Sequence, residues 1–235
     1  MCTMTWWREP ETSDSYGIFF NRDEKKTRPR AHLPTIRENT FLAPQDPQGG
    51  GTWLAVNQTG IIVALLNHWH LEKNKKYTQS RGQLVWMLAA IKSISDIELK
   101  LQGLNMPDYP PFILMLMDQH DIKRIEWNGK ELKEHPVQGM SCSSSFDYEN
   151  VKTRRETKYS HLSNSKPSTL RSFHTEDSEG AYSVRMLRPD AQTWSRSEIT
   201  ISSTEVQWTY HEEFLDFETP SETTDYSLPL IPYSS

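Results

Sequence analysis

The chain has 235 residues, a net charge of −5, and 8 Trp, 9 Tyr and 8 Phe. A chain of this length buries about 70–75% of its unfolded surface, enough for a sizeable core. A pI near 5.9 with mean hydropathy of −0.71 points to a polar surface and away from nucleic acid as the main partner, since phosphate binding needs a basic face.

Two cysteines, Cys2 and Cys142, are too few for a disulfide framework, and no CxxC metal pair occurs. No N-terminal apolar segment precedes the charge at Arg8, and no run approaches the ~18 apolar residues of a membrane span. A reducing cytoplasm is the expected compartment. The basic run Lys25, Lys26, Arg28 and Arg30 reads as a solvated loop.

Residues 2–7 alternate Thr with Met and Trp, a strand pattern. After a polar turn, Tyr16-Gly17-Ile18-Phe19-Phe20 is a second strand that should stop at Asn21-Arg22-Asp23-Glu24, and the two should form a hairpin. A Pro-punctuated stretch leads through Gly49-Gly50-Gly51 into a strand at 52–56, and Asn57-Gln58-Thr59-Gly60 supplies a turn. The continuous apolar run Ile61–Leu66 suits a strand buried on both faces and finishes at Asn67. Ser80 reads as the N-cap of a helix to about Ile94, with Leu84, Val85, Leu88 and Ile91 on one face.

Residues 112–117 read as another buried strand, and Asn128-Gly129 marks a hairpin. A basic helix is expected over 149–162, and strands over 182–187, 193–201 and 205–210. Residues 1–211 are expected to form a single domain, and the Pro-, Ser- and Thr-rich segment 212–235 a surface tail. Strands with helices grouped between them suggest layered α+β.

Cys2 is the main candidate for chemistry. Met1 removal would leave Cys2 first, placing a thiol of pKa about 8.5 beside an α-amine of about 7.7–8.0 that can serve as its base. The other reading is a small buried residue on an edge strand. A carboxylate at the end of the partner strand could hold the α-ammonium; a polar turn with a surface ion pair is the alternative for Asn21–Glu24.

Met1-Cys2-Thr3, Asn21-Arg22-Asp23-Glu24 with Arg28-Pro29, Gly50-Gly51-Thr52-Trp53-Leu54-Ala55, Ala64-Leu65-Leu66-Asn67, Ser80-Arg81-Gly82 and Tyr182-Ser183-Val184 together resemble the NRDE family, which includes the second of the transport and Golgi organisation proteins. More distantly, residues 53–67 are similar to cholylglycine hydrolase and penicillin V acylase enzymes. That likeness implies a four-layer αββα sandwich of the Ntn-hydrolase type. It implies Cys2 as nucleophile, Asp23 as the carboxylate near its amine, and Asn67 in the oxyanion site, where a strand-end cap is the other reading.

Those hydrolases carry a second Asn as oxyanion donor. Here Ser141-Cys142-Ser143 puts Cys142 at its place, a weak donor, with Ser143 as a substitute. The hydrolases also place an Arg three residues before the Asp. Phe20 stands there instead, and Arg22, beside the Asp, should point to the opposite face of an extended strand. Arg154 and Arg155 fall near a further active-site Arg of the hydrolases, and periodicity does not choose between them; both read as an exposed helix face.

His68 and His70 share a face if the strand persists, but no third ligand has convincing spacing, so no metal or other cofactor is expected. The expected activity is hydrolysis of a linear amide or acyl substrate by Cys2, with Asn21, Arg22, Cys142, Ser143 and Arg155 as accessory or binding candidates. The alternative is a non-catalytic module on the same fold that binds or carries a small molecule (a lipid, acyl compound or haem). Both take a small-molecule partner.

Overall fold

The computed structural model describes residues 2–9, 15–68 and 75–231. The chain divides into two compact units. Met1–Arg28, Gln138–Ser202 and Gln207–Tyr226 make the first; Pro29–Val137, Ser203–Val206 and Ser227–Ser235 make the second.

The second unit is a meander of seven strands, adjacent in space in the order of the chain. They are β3 (His32–Arg37), β4 (Phe41–Gln45), β5 (Leu54–Asn57), β6 (Ile62–Asn67), β7 (Phe112–Met117), β8 (Ile122–Trp127) and β9 (Leu132–His135). Two helices, α1 (Arg81–Ala89) and α2 (Ile94–Gln102), join β6 to β7. Leu84, Val85 and Leu88 of α1 and Ile97 and Leu101 of α2 pack with Val63, Leu65, Phe112, Leu114 and Leu116. Alternate residues Ile62, Ala64, Leu66, Ile113 and Met115 are equally buried. Apart from Asn67 at the end of β6, these two strands are therefore apolar throughout, as strands without a solvent face must be.

The helix expected from Ser80 to Ile94 is two. Ser80 caps α1, accepting from the Gly82 N–H. Ser93 caps α2, accepting from the Asp96 N–H. The second cap lay inside the apolar pattern read as one helix, so α2 was missed. The glycines of 49–51 and 80–82 have a joint explanation. A Cβ on Gly51 would lie 2.2 Å from the carbonyl carbon of Gly82, and the Thr52 N–H donates to the Gly82 carbonyl over 3.1 Å. The loop and the start of α1 approach backbone to backbone. Gly129, with φ of 96°, turns the β8–β9 hairpin expected at Asn128-Gly129.

The first unit is built on a six-stranded sheet in the order β10-β1-β2-β11-β12-β13. Its strands are β1 (Cys2–Arg8), β2 (Tyr16–Lys25), β10 (Met140–Ser143), β11 (Ala191–Ile201), β12 (Glu205–Glu212) and β13 (Glu222–Pro229). Two helices, α3 (Tyr148–Ser160) and α4 (Pro167–His174), follow β10. Leu170 of α4 packs on Trp7 and Phe19, and Phe173 packs with Met140, Cys142 and Val184. β1 and β2 form the expected hairpin. Strand β2, however, does not stop at Asn21: it runs on to Lys25, paired along its length with β11.

Residues 182–187 are not a strand. A short 3-10 turn (Gly180–Tyr182) ends on the first of them. The Arg185 and Leu187 N–H groups are taken by the carbonyls of Glu176 and Gly180, and that of Met186 by the Thr193 hydroxyl. Val184 and Met186 are buried all the same, which explains their strand-like apolar pattern. The segment 212–235 supplies β13, tied to β12 by Thr209–Asp225 and His211–Thr223 hydrogen bonds. Its polar, mostly exposed side chains suit an edge strand.

Candidate functional site

Register places the residues around Cys2. β1 lies between β10 and β2, with Cys2 opposite Ser143 on one side and Arg22 on the other. Directly opposed residues on neighbouring strands project to the same face. Ser195 of β11 stands opposite Arg22 in turn. Cys2, Ser143, Arg22 and Ser195 therefore form one row across four strands, all buried.

The next row along is Cys142, Thr3 and Asn21, and it faces the other way. Cys142 does not share a face with Cys2. Its thiol sits in the apolar cluster with Met140, Phe173 and Val184, and burial pushes its pKa up to about 11. Both cysteines are free, and their positions on opposite faces separate them.

The Cys2 main-chain nitrogen donates to Ser143 Oγ over 3.2 Å. Burial pushes the Cys2 thiol up to about 11, and the negative charge of Asp23 adds to this. The positive N-terminus acts most strongly in the opposite direction, followed by the Arg22 charge and the main-chain N–H of Asp23. At neutral pH a thiol so placed holds little thiolate, so its reactivity depends on those opposing groups.

On the helix-covered face, Asn21 and Asp23 each join separate segments. Asn21 Nδ2 donates to the carbonyls of His174 and Val184, at 3.0 and 2.9 Å. Its Oδ1 then accepts from His174 Nδ1 at 2.8 Å, and Thr5 Oγ1 completes the imidazole at Nε2, 2.9 Å away. Burial holds His174 neutral, its pKa lowered to about 3. Asp23 Oδ1 accepts from Thr193 Oγ1 at 2.7 Å, and Oδ2 lies 3.5 Å from Arg155 Nη2. Arg155 also donates to Thr3 Oγ1 and to the Ser183 carbonyl.

Arg155 is 1% exposed, contrary to the exposed helix face expected of it. Its apolar neighbour Val151, one turn earlier on α3, is also buried, so that face of the helix turns inward. Arg154 does lie outward, paired with Glu179 and stacked over Tyr182.

Asn67 closes β6 in the second unit, half-buried and opposite Phe112. His68 follows it, buried, with Nε2 3.1 Å from Glu126 Oε1. That hydrogen bond, with the Arg124 charge, lowers the Glu126 pKa to about 2. His70, paired with His68 in the sequence reading, lies outside the described residues. Among the described residues no three His, Cys, Asp or Glu side chains form a metal-sized cluster, and no helix is long and apolar enough to cross a membrane.

Of the residues singled out in the sequence, Cys2, Asn21, Arg22, Asp23, Cys142, Ser143 and Arg155 lie in the first unit and Asn67 in the second. Sequence reading missed His174, Thr193, Ser195 and Thr5. The alternation along residues 2–7 and 193–197 was the signal for Thr5, Thr193 and Ser195, and His174 had none.

No curated protein matches the chain in sequence. Among solved structures it is similar to a mutant conjugated bile acid hydrolase from Clostridium perfringens, at 13% identity and a TM-score of 0.50 over 96% of each chain. It is also similar to a Caenorhabditis elegans N-acylethanolamine-hydrolyzing acid amidase ortholog, at 10% identity and a TM-score of 0.49 over 85% of this chain and 92% of that one. The first likeness bears out the α+β fold of the Ntn-hydrolase type. In sequence, the model of the Transport and Golgi organisation 2 family matches residues 1–214. The chain belongs to the Transport and Golgi organisation 2 family.

Proposed function

We propose that this protein is an N-terminal-cysteine amidohydrolase that cleaves a linear amide or acyl small molecule in a reducing cytoplasm. The observation that carries the reading is the place of Cys2: first residue of a strand paired on both sides, with Ser143 Oγ on its nitrogen and Arg22 beside it on the same face. The Ntn-hydrolase fold supports it, and two free cysteines are compatible with a reducing compartment.

In this scheme Met1 is removed and the Cys2 thiol passes its proton to the freed α-amine as sulfur attacks the substrate carbonyl. The amine then returns the proton to the leaving nitrogen. Water, deprotonated by the same amine, cleaves the resulting thioester and regenerates the thiol. Asp23 is assigned to hold the α-ammonium, and main-chain N–H groups to donate to the oxyanion.

A second reading is a non-catalytic binding or carrier module on the same fold. It is favoured by the high pKa of the buried Cys2 thiol and by the orientation of Cys142, which does not replace an oxyanion donor on the Cys2 face.

Intact mass of the purified protein and hydrolysis of a panel of acyl amides by wild type and Cys2→Ala separate the two. The enzyme reading expects a chain starting at Cys2 and turnover lost in Cys2→Ala. Retained Met1 in an active preparation, or turnover surviving Cys2→Ala, overturns it. A processed chain with no turnover on any member favours the carrier.

A further inference from the structure

The row that contains Cys2 runs beyond it. Ser143, Cys2, Arg22 and Ser195 stand in register on β10, β1, β2 and β11. Tyr210 of the neighbouring β12 hydrogen-bonds Ser195. All five are at most 6% exposed. Burial pushes the Tyr210 phenol up to about 12, so it stays neutral, and the two serines carry no charge. Arg22 is the one charged side chain of the row.

A guanidinium does not give up its proton in a protein, so burial cannot silence its charge as it can that of Lys or His. Its field acts on the neighbouring thiol in a medium that screens little. The other nearby side chains of the motif turn away: Asn21 binds His174 and Val184, and Asp23 binds Thr193 and faces Arg155. The charges acting on Cys2 are the positive N-terminus and two side chains of β2, Asp23, which disfavours the thiolate, and Arg22, which favours it from the directly opposed position.

We infer that Arg22 is the positioning residue that makes Cys2 reactive, its guanidinium stabilising the thiolate from the directly opposed place on β2. The inference deepens the hydrolase reading and rests on Cys2 being its nucleophile. Phe20, two residues earlier on the same strand and opposite Met4, occupies the same face without a charge. The motif thus divides its labour by strand alternation: Arg22 faces the sulfur, the Asn21 side chain joins α4 to the Ser183–Met186 segment, and the Asp23 carboxylate, assigned to the α-ammonium, also takes Thr193 and Arg155.

The test is the pH dependence of Cys2 alkylation by iodoacetamide, read by peptide mass so that Cys142 does not interfere. Wild type, Arg22→Met and Arg22→Lys are compared, with circular dichroism as the check on folding. Arg22→Met should move the alkylation profile to higher pH and slow the neutral-pH rate about tenfold, the usual effect of losing one adjacent opposite charge. Arg22→Lys should recover most of that loss. Should Met not be accommodated, Arg22→Gln removes the charge and keeps a polar group, and carries the same expectation.

An unshifted profile in a folded neutral variant overturns the inference, as does a Lys variant no faster than the neutral ones. Alkylation needs no substrate. A protein that hydrolyses nothing still reports on Arg22, and failure of the hydrolase reading is thereby distinguished from failure of this one.

Discussion

Cys2 and Ser143 are opposed residues of neighbouring antiparallel strands, and the Cys2 nitrogen donates to the Ser143 hydroxyl over 3.2 Å. One step along, Thr3 and Cys142 are opposed in the same way and face the helices. The hydroxyl, not the second thiol, therefore accompanies the candidate nucleophile. A net hydrogen bond is worth about 0.5–1.5 kcal/mol, up to roughly tenfold in rate. Ser143→Ala should lower kcat by about that factor, and Ser143→Thr should retain most of it. Steady-state kinetics on an amide turned over by the wild type will read both.

Cys142→Asn tests the same geometry from the other face. An amide at 142 would restore the residue that the hydrolases carry in sequence, but it would project into the cluster of Met140, Phe173 and Val184. No gain in turnover is expected. Stability should fall by about 1–3 kcal/mol for an amide buried without partners. Urea unfolding measures the second effect, and a rise in activity would refute the placement of Cys142.

Arg155 links α3 to Thr3, the Ser183 carbonyl and Asp23. Arg155→Met leaves a buried carboxylate without its cation, a change that typically costs about 3–5 kcal/mol. Arg154→Met removes an exposed pair and should cost no more than about 1 kcal/mol. Denaturant midpoints of the two variants should differ accordingly.

His174 gives the protein an acid-sensitive lock. The folded state keeps it neutral down to about pH 3, whereas an unfolded chain binds the proton near pH 6.5. The contribution is complete above that pH and is lost progressively as pH falls from about 6.5 to about 3. Glu126 and Glu198, both lowered to about 2, add losses that begin only below their ordinary value of 4.5. Melting temperature should therefore start to fall before the carboxylates titrate. In His174→Gln the slope between pH 6.5 and the carboxylate range should flatten, though the variant starts from lower stability.

Gly51→Ala places a Cβ against the Gly82 carbonyl group, a backbone obstacle that cannot turn aside. A loss of about 1–3 kcal/mol is expected from such overpacking. Gly103→Ala is a control, since the nearest contact there is 3.6 Å away; its cost should be much smaller in thermal unfolding.

Elements whose burial shows in local pattern were legible. The apolar runs at 61–66 and 112–117, the Ser80 cap and the Asn128-Gly129 turn each leave a signature within a few residues. Strands β3 and β4 were hidden because Pro34 and Pro44 interrupt them. Helix α4 was hidden because a short Ser- and Thr-containing segment from Pro167 has low intrinsic helix preference and depends on packing by Leu170 and Phe173. The run of β2 through Asn21–Lys25 was read as a turn because polar residues usually mark one. Here pairing with β11 and buried partners for Asn21 and Asp23 keep the strand going.

The sequence by itself determined that Cys2 lies on a strand next to the strand ending in Asn21-Arg22-Asp23-Glu24, and that Arg22 and Asp23 point to opposite faces. Both follow from a hairpin and a two-residue period, which are local. Which residue of that motif stands beside the sulfur was decided only in the tertiary structure. So was the choice of Ser143 over Cys142, two residues adjacent in the chain and 140 or more positions from Cys2. A shift of one residue in register exchanges every side chain between faces. Register between β1, β2 and β10 is fixed by the packed helices and the Asn21, Asp23 and Arg155 contacts, which no local pattern records.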